Sequence, residues 1–159
     1  MAQNDIKIKH IWTVLCRESV IDKESNNISL INVLEQISIS TRTPSEQQPT
    51  GQARGGPIPI SFEIVSLWIR AEEAQPALGH CRVTILSPSG PLEEAHHIPV
   101  DLRKYQRMRT RQRLGGLPVS EAGQYLFRVE YRDDGETDWR EVGAIPVSII
   151  IESAPEKET

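Results

Sequence analysis

From Gln124 to Arg132 the apolar residues Tyr125, Phe127, Val129 and Tyr131 fall on one parity, and Gln124, Arg128, Glu130 and Arg132 fall on the other. A helix would scatter both sets around its axis. A strand, whose side chains alternate with a period of two, collects each set on its own face. The segment is therefore predicted to be a half-buried β-strand. Ile145, Val147, Ile149 and Ile151 repeat the pattern, and Pro146, which has no N–H to give a ladder, puts the start of that segment at an edge or bulge. Asp133-Asp134-Gly135 supplies turn chemistry between them, since Gly135 can take a positive φ. A hairpin is expected.

Other segments follow the same rule. Cys81, Val83 and Ile85 oppose Arg82 and Thr84, and the run stops at the turn Ser87-Pro88-Ser89-Gly90, after which a strand from Leu92 to Val100 would close a second hairpin. Residues 58–70 switch phase: Ile60, Phe62 and Ile64 hold one parity, Val65, Leu67 and Ile69 the other. A bulge or burial on both faces would explain the switch. Further strands are expected from Lys9 to Ile21 and from Ile28 to Thr41, separated by a turn whose Asn26-Asn27 pair tolerates left-handed backbone. Asp101 to Met108 is the sole weak helical candidate. Residues 43–57 hold three prolines and three glycines among Gln and Ser, a composition with little to bury, and are expected to form a long mobile loop; 152–159 reads as a polar tail.

At 159 residues the chain is long enough for one core and near the usual size of one domain, placed here at 1–151. The start, Met1 to Lys7, lacks the basic and apolar regions of a secretion signal, and no run approaches a membrane span, so a cytoplasmic protein without membrane association is expected. Cys16 and Cys81 each lie in an apolar β-like run, where free cysteine acts as a small buried hydrophobe; a disulfide would be disfavoured in a reducing cytosol.

Seven or eight strands at this spacing, with little helix, predict an all-β fold, an antiparallel β-sandwich of immunoglobulin-like type, with a closed barrel as its rival. Glu121-Ala122-Gly123-Gln124-Tyr125 opens the best strand as a tyrosine corner does, with the Tyr125 hydroxyl bonding back to upstream backbone; an ordinary core aromatic is the plainer alternative. Trp12-Thr13-Val14-Leu15-Cys16 leading to Ile28-Ser29-Leu30-Ile31-Asn32-Val33, the turn at 87–90 and the block Gly116 to Phe127 resemble a family of small bacterial immunoglobulin-like proteins with no assigned activity. The resemblance spans about residues 11 to 151 and implies the fold and no site. The 43–57 loop and the basic run described next depart from it.

That run, Arg103-Lys104-Tyr105-Gln106-Arg107-Met108-Arg109-Thr110-Arg111-Gln112-Arg113, carries six cations and no acid. The chain has 18 Lys and Arg against 22 Asp and Glu, so the rest of it holds 12 cations against the same 22 acids. As a strand, the run would project Arg107, Arg109, Arg111 and Arg113 from one face at a pitch of about 6.5 to 7 Å. Such a stripe suits carboxylates of an acidic protein partner, or the phosphates of a nucleic acid. The plainer reading is a solvated face whose arginines pair with acids on neighbouring strands. Nucleic acid is disfavoured by the acidic remainder and by a single nearby aromatic, Tyr105.

Other chemistry is thin. His96 and His97 would point to opposite faces of a strand, with no cysteine or carboxylate at ligand spacing, so no metal site is expected. No nucleophile elbow, phosphate-binding loop, dinucleotide fingerprint or zinc-protease motif occurs, so neither cofactor nor catalytic residue is assigned. Trp68 is expected as the aromatic pillar of the core, and Trp139, beside the turn at 136–138, as a contact residue. The function expected from these residues is a non-catalytic binding or adaptor module. It would meet a protein through Arg103, Lys104, Arg107, Arg109, Arg111, Arg113 and Trp139, an edge strand, or the 43–57 loop. A nucleic-acid accessory protein, an enzyme and a self-associating protein are the rivals.

Overall fold

A computed structural model describes residues 5–41, 60–94 and 97–153. They form ten strands: β1 (Ile8–Ile21), β2 (Ile28–Val33), β3 (Gln36–Thr41), β4 (Phe62–Arg70), β5 (Leu78–Ser87), β6 (Gly90–Glu94), β7 (Ile98–Asp101), β8 (Arg107–Leu114), β9 (Gly123–Asp133) and β10 (Arg140–Ser153). The expected 43–57 loop, His96 and most of the expected tail lie outside the described residues. The strands make two sheets, one ordered β2-β1-β4-β8 and the other β3-β10-β9-β5-β6, with β7 also pairing β5. This is an all-β sandwich with no helix among the described residues.

The core lies between the sheets. Phe62, Ile64 and Trp68 from β4 meet Tyr125, Phe127, Val129 and Tyr131 from β9, joined by Val83, Ile85, Val147 and Ile149. The alternation that marked β9 thus points its apolar parity inward. Trp68 is fully buried, 5.6 Å from Tyr131 and 5.0 Å from His10 between ring centroids, and its indole N–H donates to Thr110 Oγ1 at 3.0 Å. Satisfying that N–H is what lets so large a side chain be buried without cost. Cys16 and Cys81 are free and buried, and burial raises the Cys81 thiol to about 11.

β9 and β10 pair antiparallel around the expected turn, with Gly135 at φ 84°. Pro146 sits inside β10 opposite Leu126, two residues before β3 begins to pair at Ser148. Its missing N–H therefore costs no bond on that side, and the bulge in β10 falls just earlier, between Glu141 and Gly143. The Tyr125 hydroxyl lies 3.0 Å from the Glu121 carbonyl, which closes the corner expected at the start of β9.

Five expectations need correcting. The single strand expected over 28–41 is two strands: the Leu34 N–H still bonds Leu15 in the first sheet, while the Glu35 carbonyl already accepts from Ser148 in the second. The chain changes sheets within two residues, next to a left-handed Asn32 at φ 52°. β3 then runs parallel to β10, so the second sheet is mixed and not wholly antiparallel, and the strands number ten where seven or eight were expected. The strand expected over 92–100 is divided into β6 and β7, both paired to β5. Residues 101–106 form no helix; Asp101 instead holds the Arg103 backbone and guanidinium, and those bonds, led by the guanidinium, draw the carboxyl down to about 2.

The phase switch in β4 is burial on both faces. Val65, on the face away from the core, is as inaccessible as Trp68, and Glu63 on that same face is buried. No register shift interrupts the pairing of β4 with β8; the extra residue is Ile11 in β1, between His10 and Trp12.

Candidate interaction surface

β8 is the outer strand of the first sheet, and its register with β4 sets Arg107 against Ile69, Arg109 against Leu67, Arg111 against Val65 and Arg113 against Glu63. Opposed residues in an antiparallel pair share a face. The four arginines therefore project from the outer face, as their spacing predicted, while Thr110 and its neighbours of the other parity turn toward the core.

Three of the four are tied to the rest of the molecule. Arg113 places Nη2 2.6 Å from Glu63 Oε1 and adds a 3.2 Å bond from Nε. Arg111 donates to Ser19 Oγ at 3.2 Å, and Arg109 donates to the Asn26 carbonyl at 2.6 Å and its side-chain oxygen at 2.9 Å. Ser19 in turn donates its hydroxyl to Glu63 Oε2. Ser19 and Asn26 belong to the β1–β2 hairpin, so its far end leans over the outer face and covers β4 there. Ile21, Asn26 and Asn27 from the hairpin line a hollow of about 290 Å³ with Leu67, Arg107, Met108 and Arg109.

Glu63 is the residue the sequence reading passed over. Its signal was there: one carboxylate between Phe62 and Ile64 in an apolar run. Its side chain is 3% exposed. Burial alone would raise its carboxyl, but hydrogen bonds from Ser19 and Arg113 and the charges of Arg113 and Arg111 outweigh it, leaving the carboxyl below its ordinary value.

Arg107 is exposed and has no ion pair among the described residues. Beside it, Lys104 is exposed and Tyr105 is 66% exposed. Arg103 is spent on Asp101 through a two-pronged bond. The remaining candidate, Trp139, lies on the other sheet, half-buried, with the guanidinium carbons of Arg82 and Arg132 at 4.4 and 4.7 Å from its ring and His97 at 6.1 Å. Arg82 also bonds Glu130 at 2.8 Å, so Trp139 caps a paired polar layer away from the arginine stripe. The stripe residues are brought together on one face; Trp139 is not among them. Among the described residues no three His, Cys, Asp or Glu gather as metal ligands, and no helix is long and apolar enough to cross a membrane.

No protein-family model matches the chain, and no curated protein does. Solved structures similar to it include a β-glucosidase from Listeria innocua, at 11% identity over 77% of this chain and 15% of that one, with a TM-score of 0.45. Another is the alkylpurine DNA glycosylase AlkC of Pseudomonas fluorescens bound to DNA containing an abasic site analog, at 7% identity over 91% of this chain and 30% of that one, TM-score 0.43. The N-terminal domain of PorA aligns at 9% identity over 89% of this chain and 98% of that one, TM-score 0.28. The chain spans less than a third of the first two proteins. Likenesses of this size transfer no activity.

Proposed function

We propose that the chain is a non-catalytic, cytoplasmic binding module built on an immunoglobulin-like sandwich, and that it recognises an acidic protein partner through the arginine face of β8. The tyrosine corner at Tyr125 supports the immunoglobulin-like reading and, with it, kinship to the small bacterial proteins that the sequence resembles. One observation carries the function: Arg107 is exposed and outside the bonding that ties down Arg109, Arg111 and Arg113 on the same face.

The physical case is one of order. Arg109, Arg111 and Arg113 are already held by Asn26, Ser19 and Glu63, so a partner's carboxylates would meet guanidiniums that have little side-chain entropy left to lose. Arg107 and Lys104 bring charge that has no ion pair among the described residues, and Tyr105 adds an exposed aromatic of the kind enriched at interfaces. Nucleic acid fits less well. Outside the basic segment acids outnumber cations 22 to 12, which repels phosphate at long range, and one tyrosine is a small stacking platform.

An affinity capture from extract of the source cell, with and without nuclease, tests the reading. Wild-type protein should retain a protein partner after nuclease treatment, and the double variant Arg107→Glu, Lys104→Glu should lose it. Recovery abolished by nuclease, or unchanged in the double variant, would count against the arginine face as a protein-binding site.

A further inference from the structure

The outer faces of the two sheets differ in what they leave unanswered. On the six-stranded sheet the charges answer one another: Arg82 Nε lies 2.8 Å from Glu130 and Arg128 Nε 3.1 Å from Glu141, and the guanidiniums of Arg82 and Arg132 cover Trp139. On the four-stranded sheet the registers of β1 with β4 and of β4 with β8 set side chains in rows across three strands. Lys9, Ile69 and Arg107 make one row; Trp12, Leu67 and Arg109 make the next. Ile69 and Leu67 alternate with Trp68, which points into the core, so both rows lie on the outer face. Farther toward the β1–β2 hairpin, Val65, Cys16 and Glu63 are buried. Trp12, Leu67 and Ile69 are only half-buried, and they form an apolar strip with the arginines of β8 along one side.

The charge around the strip is one-sided. Lys9 and Arg107 are exposed and, like Arg109, have no ion pair among the described residues; Arg109 bonds only neutral oxygens of Asn26. Asp5 and Glu72 share a hollow with Lys7 and Lys9 past the end of the strip, so that end is balanced in number. The arginines of β8 meet no acid across the pairing with β4 until Glu63.

We propose that this strip is the seat of an acidic amphipathic helix of the partner, its apolar stripe on Trp12, Leu67 and Ile69 and the carboxylates beside that stripe on Arg107 and Arg109. Such an occupant presupposes that the β8 face receives an acidic protein, as proposed above, and specifies the form that protein takes there. The backbone selects a helix. A chain laid on the face of a sheet, away from its edges, finds no ladder to join and must bring its own backbone hydrogen bonds, as a helix does. The width agrees, since β1 and β8 stand about 10 Å apart across β4 and a helix with its side chains is about 10–12 Å across. An apolar stripe flanked by acids is the pattern of one amphipathic helix. At the hairpin end, the 290 Å³ hollow offers Ile21, Leu67 and Met108 to one large apolar side chain and Arg107 to a carboxylate beside it.

Two labelled peptides of about 18 residues, long enough to hold a helix, test this by fluorescence anisotropy on the full chain. Both contain the same leucines and glutamates. In one the leucines recur at i, i+3, i+4 and i+7 with glutamates on either side, and in the other the order is scrambled. The wild-type chain should bind the amphipathic peptide at least about tenfold more tightly than the scrambled one, with a gain of helical dichroism. Arg107→Glu should weaken that binding at least about tenfold, and Ile69→Thr and the exposed Lys9→Glu by about threefold or more. Equal affinity for both peptides, lost in Arg107→Glu, would overturn the helix while leaving the arginine face standing as a site for acidic protein. Binding of neither peptide also overturns the helix, and the capture experiment then decides the arginine face by itself. So does a preference for the amphipathic peptide that survives unchanged in Ile69→Thr and Lys9→Glu, which would seat it elsewhere, or tighter binding of a single-stranded thymidine oligonucleotide than of either peptide.

Discussion

Glu63 and Arg113 face each other across β4 and β8, with Arg113 Nη2 2.6 Å from a carboxylate whose side chain is 3% exposed. Burial opposes the charge on Glu63, and the bonds from Ser19 and Arg113 overcome that opposition, holding the carboxyl low. A carboxyl held lower in the folded chain than in the unfolded one stabilises the fold above its ordinary value near pH 4.3 and gives that stability up as pH falls through the folded value. His10 adds a second loss of the same sign. Burial against Trp68 lowers its imidazole, so protonation favours unfolding once pH drops below about 6.5. Chemical denaturation at pH 7, 5.5, 4 and 3 (values spanning these ranges) should show stability falling in two stages, with Glu63→Gln reducing the more acidic one, to which Glu130, held low against its burial by Arg82 and Thr84, also contributes. Constant stability over that range would contradict both assignments.

The tyrosine corner makes a smaller prediction. Tyr125 is fully buried, and its hydroxyl bonds the Glu121 carbonyl at 3.0 Å, fixing the entry of β9 into the second sheet. Tyr125→Phe keeps the ring and removes the bond, so it should cost about 1 kcal/mol. The denaturation midpoint should fall with its slope unchanged. A cost well under this would mean that the corner is incidental to packing.

Gly79 is required by space. A Cβ at that position would meet the Tyr131 ring, 2.5 Å from Cε2 and 2.6 Å from Cζ, and would collide with the hydroxyl. That ring cannot swing aside, because it is fully buried against Trp68 and its hydroxyl bonds Asp133 at 2.6 Å. Burial and Asp133 together raise the phenol far above its ordinary value, so it stays a hydrogen-bond donor at any working pH. Gly79→Ala should destabilise the fold by about 3 kcal/mol, the upper range for overpacking. Gly115→Ala, where nothing lies near the added carbon, is the control and should change little.

What the sequence disclosed follows from how far apart the interacting residues are. The β9–β10 hairpin was legible because its alternation, its Asp-Asp-Gly turn and its pairing are all local. The common face of the four arginines was equally legible, since parity along one strand decides it. Their partners were not: Asn26 lies 83 positions from Arg109 and Ser19 lies 92 from Arg111, and no local pattern announces a hairpin folding over a distant strand. The same gap explains β4. Its phase switch pointed correctly to burial on two faces as one of two readings, but the cover came from elsewhere in the chain. The division of 28–41 was hidden because both halves are equally β-prone, and only the crossing between sheets at Leu34 and Glu35 separates them.

The arginines themselves now separate into two kinds, and stability measurements can tell them apart. Arg113 completes the bonding of a buried carboxylate, and removing it leaves Glu63 with Ser19 and the more distant charge of Arg111. Arg113→Ala should therefore destabilise the chain clearly, because a buried charge that loses its partner is costly. Much of that loss should return in Arg113→Ala, Glu63→Gln, since the neutral amide has no unpaired charge to bury. Arg107→Ala removes a side chain with no ion pair among the described residues and should alter stability by less than about 0.5 kcal/mol. If the two single variants proved equally harmless, the stripe would be a solvated row of charge throughout. If Arg107→Ala proved as costly as Arg113→Ala, Arg107 would be structural, and charge reversal there would no longer report on binding alone.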